Sequence, residues 1–134
     1  MKYAVCLALL FAMFSSCSSD QQFAPADNAL VAAQQFLGGC LKGDFKQAAN
    51  YIITDSVNTA QLGHLKDAYY HNNSDQRIEY RTANIIIKND EVVSATEEII
   101  TYENSYDKIT RKLKSVKTDQ GWKVDLKYTF SGNL

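Results

Sequence analysis

The sequence predicts an α+β fold, with three N-terminal helices packed on a curved four-stranded antiparallel meander. Three observations lead there. Between Pro25 and His71, apolar residues recur every three or four positions, as on amphipathic helices. From Asp75 onward the spacing shortens towards two, the period of a strand. The clearest stretch is 121–130, where Trp122, Val124, Leu126, Tyr128 and Phe130 alternate with Lys123, Asp125, Lys127 and Thr129. That alternation describes a strand with one face on a core and the other in water.

The first helix starts near Pro25, with Asp27 or Asn28 as cap, and carries Leu30, Ala33, Leu37 and Leu41 as its stripe. Gly38 and Gly39 inside it cost about 1 kcal/mol each relative to alanine. They either let another backbone approach or bend the helix. Gly43 suits a C-terminal cap, and Asp44 with Gln47 opens a second, short helix that turns Phe45, Ala48, Ala49 and Ile52 inward. A third helix, from Asn58 to His71, carries Leu62, Leu65, Ala68 and Tyr69.

Four strands are expected next. Ile78 to Ile87 forms the first, and Lys88–Asn89–Asp90–Glu91 is a tight-turn signal. Val92 to Tyr102 is the second and Tyr106 to Val116 the third. A turn at Thr118–Asp119–Gln120–Gly121 leads into the last. Consecutive strands joined by short turns pair antiparallel.

With 134 residues and a net charge of −1, the chain has the size of one domain and no basic patch, which argues against nucleic acid as a partner. Its start has a different character. Lys2 precedes the apolar run Ala4 to Phe14, and small residues follow, which is the order of a secretory signal. The run is shorter than the roughly 20 apolar residues a membrane span needs. Phe14–Ser15–Ser16–Cys17 resembles the lipobox of bacterial lipoproteins. The resemblance implies that residues 1–16 are removed, that Cys17 is the lipid anchor, and that residues 17–24 tether a domain spanning 25–134. With Cys6 lost and Cys17 acylated, Cys40 stands alone and fits a small buried hydrophobe better than a reactive thiol.

Two further segments carry a second likeness: Leu41–Lys42–Gly43–Asp44–Phe45 with Ala48 and Tyr51, and Asp119–Gln120–Gly121–Trp122–Lys123–Val124. With the order of elements, they resemble the nuclear transport factor 2-like (cystatin-like, SnoaL-like) superfamily. More narrowly, they resemble small Bacteroides-type lipoproteins of unknown function. The resemblance implies a cone of helices over a bent sheet with a pocket between them. It also implies a lipoprotein held on the outer membrane, facing the periplasm. Members of the superfamily include isomerases, dehydratases, hydrolases and protein-binding modules, and many dimerise through the sheet. Fold alone does not choose among these.

Candidate chemistry is sparse. Phe36, Tyr51, Tyr80, Trp122 and Tyr128 are the candidates for lining a ligand pocket, although aromatic residues more often fill a core. His64, Asp67 and His71 share one helix face, but that face lies opposite the apolar stripe and reads as solvated. Lys108, Arg111, Lys112, Lys114 and Lys117 are expected to pair with Glu97, Glu98 and Glu103 across strands. No catalytic residue, metal site or cofactor motif is assigned. The reading that follows is a membrane-anchored envelope lipoprotein whose non-catalytic domain binds a protein or a small ligand. The alternatives are an enzyme with a polar residue inside the cone, or a structural dimerisation module.

Overall fold

The computed structural model describes residues 22–129. The expected signal segment, Cys17 and Phe130 lie outside them. In chain order the elements are α1 (Ala29–Lys42), α2 (Phe45–Asn50), α3 (Ser56–His71), α4 (Ser74–Thr82), β1 (Ile85–Ser94), β2 (Glu97–Asn104), β3 (Arg111–Thr118), β4 (Gly121–Asp125) and a final turn of helix, α5 (Leu126–Thr129). The strands pair antiparallel in the order β1-β2-β3-β4, a meander with helices packed against it.

Local chemistry places the helices. Asn28 caps α1 by accepting from the Val31 amide at 2.9 Å, and Asp44 caps α2 through the Gln47 amide at 2.9 Å. Gly43 ends α1 at φ 74°, a left-handed conformation that costs glycine little. Asp55 caps α3 through the Asn58 amide at 2.8 Å and also binds Lys127 Nζ at 2.9 Å. These contacts, the Asn58 amide first, hold the Asp55 carboxyl down at about 2.

The core lies between α1 and the sheet, where Ala29, Ala32 and Ala33 are buried with Ile100, Leu113, Val124 and Leu126. Burying a side chain such as Ile100 or Leu113 contributes about 1.5–3 kcal/mol relative to leaving it exposed. Gly39 is there because α2 crosses close by. A β-carbon on it would sit 2.8 Å from both the Ala48 nitrogen and the Asp44 oxygen. Close approach, rather than a bend, is therefore its role. The open side of β4 is capped by single bridges from Ala26 to Trp122 and from Ile52 to Val124.

Several sequence expectations are corrected. Four helices precede the sheet, because Ser74–Thr82 is helical and the strand expected over Ile78, Tyr80 and Thr82 is absent there. Asn73 and Gln76 form a reciprocal capping box, the Gln76 amide donating to Asn73 Oδ1 at 2.9 Å and the Asn73 amide to Gln76 Oε1 at 3.1 Å. Lys88–Glu91 is no turn. The strand runs through it, with an irregularity at Lys88, and reverses at Ala95–Thr96. At the edge of the sheet those polar side chains stay solvated inside a strand, and Lys88 pairs with Glu103 at 3.0 Å.

The third strand begins at Arg111 rather than Tyr106, because Asn104 Oδ1 takes the amides of Tyr106 and Asp107 at 3.0 and 2.9 Å. The last strand stops at Asp125. Buried Asn58 accepts from the Leu126 amide at 2.6 Å and Asp125 from the Lys127 amide at 3.1 Å, so the chain coils where a strand was expected. The alternation still holds through Trp122, Val124 and Leu126, all buried.

Candidate functional site

Beyond the alanines, α1 and the sheet line a cleft of about 340 Å³. Larger side chains of α1 form one wall: Leu37, Cys40 and Leu41. Phe45, Leu65, Ala68 and Tyr69 extend it across α2 and α3, and Ile85 of β1 faces them. Tyr69 is held by its neighbours. Its ring meets Phe45 edge-on at 5.7 Å and fills the space over Gly43, where a β-carbon would come within 2.7 Å of the ring.

The polar part of the lining comes from the end of α3, from α4, from the sheet and from the loop before β3: Asn72, Tyr80, Tyr102, Asn104, Asp107 and Arg111. Arg111 and Asp107 form a two-pronged pair, with Nη2 donating to Oδ2 at 2.7 Å and Nη1 to Oδ1 at 3.0 Å. Nη1 also donates to the Ile109 carbonyl at 3.1 Å, and the Ile109 amide donates to Asp107 Oδ1 at 2.9 Å. Lys108, between the two charged residues in this loop, takes a positive φ of 54°. Tyr102 stands directly across the ladder from Arg111, and Tyr80 stacks edge-on against Tyr106 at 4.9 Å.

Each ionisable group with a resolved shift is driven to one protonation state. Burial pushes the Asp107 carboxyl up, but the hydrogen bonds from Arg111, the Ile109 amide and Asn104 outweigh it and hold it below its ordinary value. The pair with Asp107 raises Arg111. Burial pushes Tyr102 up to about 12 and raises Tyr80, with the Asp107 charge adding to the latter. Cys40 keeps some residue surface exposed, yet burial around its sulfur pushes the thiol up to about 12. At neutral pH the shifted groups of the cleft are thus a carboxylate paired with a guanidinium, the neutral phenols of Tyr80 and Tyr102, and a neutral thiol.

Of the five aromatic candidates, Tyr80 lines this cleft. Phe36 is buried in the core, and Tyr51 is buried with its hydroxyl donating to the Ala24 carbonyl at 2.8 Å. Trp122 is buried at the bridge to Ala26, and Tyr128 is half-buried beside Lys114 Nζ, 5.9 Å from its ring centre. These five are therefore spread across the domain.

His64, Asp67 and His71 are exposed, and no metal-holding group of histidine, cysteine and acidic residues occurs among the described residues. The cross-strand charges are only partly as expected. Lys114 reaches Glu97 at 3.4 Å, but Arg111 turns to Asp107, and Glu98 lies beside Asp90 with its carboxyl raised by burial and by that charge.

A larger groove, of about 690 Å³, runs along residues 22–25, Lys46 and Asn50. Among the described residues Lys46 is the ionisable group on its walls, and the groove begins at the first of them. The smaller cleft, with converging polar groups, is the better site. No protein-family model, curated protein or solved structure matches the chain.

Proposed function

We propose that this protein is a lipid-anchored lipoprotein of the bacterial cell envelope, tethered through Cys17, whose domain binds a small amphipathic ligand without catalysis. On this reading the helix layer and sheet form a nuclear transport factor 2-like cone, and the cleft at the wide end of α1 is its pocket. The observation that carries it is the cleft's lining: an apolar wall from three helices facing one polar cluster. Binding is favoured over acid–base chemistry because none of its shifted groups is moved towards neutrality from the side that would let it exchange protons there.

Leu65→Trp tests the pocket by filling it from the α3 wall. In ligand-detected NMR with hexanol, octanol and decanol, wild-type protein should bind and the folded variant should lose about tenfold or more in affinity. Equal binding by the two would move the site elsewhere. The anchor is tested separately, since metabolic palmitate label should vanish in Cys17→Ala.

A further inference from the structure

We infer that the cleft selects ligands whose polar head is uncharged, such as an alcohol or a carbonyl on an apolar body, and discriminates against both carboxylates and amines. This rests on the cleft being the binding site. An arginine in a pocket ordinarily announces an anionic ligand, but here the guanidinium is already spent. Asp107 occupies both prongs of Arg111, at 2.7 and 3.0 Å, and the Ile109 carbonyl takes a further donation at 3.1 Å. These two are the charged residues of the lining among the described residues, so their formal charges cancel.

An entering carboxylate would approach Arg111 against the charge of Asp107, and an ammonium would approach Asp107 against Arg111. Either ion would also give up its water inside an apolar cleft without a free counter-charge to replace it. The rest of the polar lining is neutral: Tyr69, Asn72, Tyr80 and Tyr102, together with Asn104, whose Oδ1 is already taken by the Tyr106 and Asp107 amides. Burial and the nearby carboxylate keep the phenols of Tyr80 and Tyr102 protonated, so they can act as donors or acceptors to a hydroxyl or carbonyl.

The test is a matched series at pH 7, where octanoate is ionised and octylamine protonated while octanol is neutral. Full-length protein should bind octanol at least about tenfold more tightly than either ion, by calorimetry or ligand-detected NMR. Octanoate or octylamine binding as well as octanol would overturn the proposal while leaving the cleft as the site. Binding of none of the three would instead remove the cleft itself, and the proposal with it.

Asp107→Asn supplies the second arm. Freed of its partner charge, Arg111 should attract octanoate, raising its affinity about tenfold relative to that of octanol in the same variant. Folding of the variant is checked by its thermal melt. A folded variant that still ranks octanoate last would also overturn the proposal; if the variant does not fold, the wild-type series decides alone.

Discussion

Around Val124 and Leu113 the helix α1 lies directly on the sheet through Ala29, Ala32 and Ala33, whereas around Tyr102 and Arg111 the same helix stands off behind Leu37, Cys40 and Leu41. The closed end is sealed by small residues and by polar groups that all find partners: Ser115 Oγ donates to the Ala29 carbonyl at 3.1 Å, and Asn58 joins α3 to the end of β4. The open end uses bulkier residues, yet holds space. Side-chain bulk at a helix–sheet interface is therefore no guide to filling: small residues let the backbones close together, and larger ones can leave space between them.

The largest effect should come from the closed end. Trp122→Ala removes a buried ring beside the bridge to Ala26 and is expected to cost about 3–5 kcal/mol in chemical denaturation. Tyr80→Ala removes a half-buried ring from the cleft, where water can enter, and should cost roughly half as much or less. Equal losses would mean that the two ends are equally well packed, and the contrast would fail.

Next in size is Asn58→Ala. The side chain is fully buried, accepts from the Leu126 amide at 2.6 Å and donates to Asp55 at 3.0 Å. Its loss strands a buried amide and should cost about 1–3 kcal/mol. Hydrogen exchange sharpens this: the Leu126 amide should become much faster to exchange in the variant. Unchanged protection there would show that another group holds the end of β4.

Asparagine also marks where the sequence could be read and where it could not. The helical stripe of α1, its Gly43 cap, the Asp44 cap and the antiparallel order of the strands follow from spacing and local propensity, and all are visible in the chain. Four boundaries differ from expectation. The turn expected at Lys88–Glu91 lies at Ala95–Thr96. At the other three an asparagine takes a backbone amide: Asn73 opens α4, Asn104 folds the loop before β3, and Asn58 ends β4 from across the domain. The first two of these asparagines act locally, and the Asn73–Gln76 box was legible in principle. The third depends on a contact 68 positions away in sequence, which no window reveals.

The site followed the same rule. Asp107 and Arg111 stand four residues apart, a readable spacing, but their meeting with Tyr80 depends on α4 being a helix. With that segment read as a strand, Tyr80 was legible as an aromatic candidate and its neighbours were not.

The smallest effects come from two adjacent glycines in α1, and they are expected to differ in sign. A β-carbon on Gly39 would lie 2.8 Å from backbone atoms of Asp44 and Ala48, so α2 would have to move away from α1. Gly39→Ala should therefore destabilise by about 1 kcal/mol, the overpacking cost of roughly 1–3 kcal/mol less the gain in helix propensity. On Gly38 the nearest atom is the end of the flexible Gln47 side chain, at 3.8 Å, an ordinary contact. Gly38→Ala should stabilise by about 0.5–1 kcal/mol, the gain of replacing glycine inside a helix. Denaturant midpoints of the two variants, measured side by side, decide the matter. If both alanines stabilise, the α1–α2 crossing has slack and close backbone approach does not set it; if both destabilise, the contrast between the two positions fails.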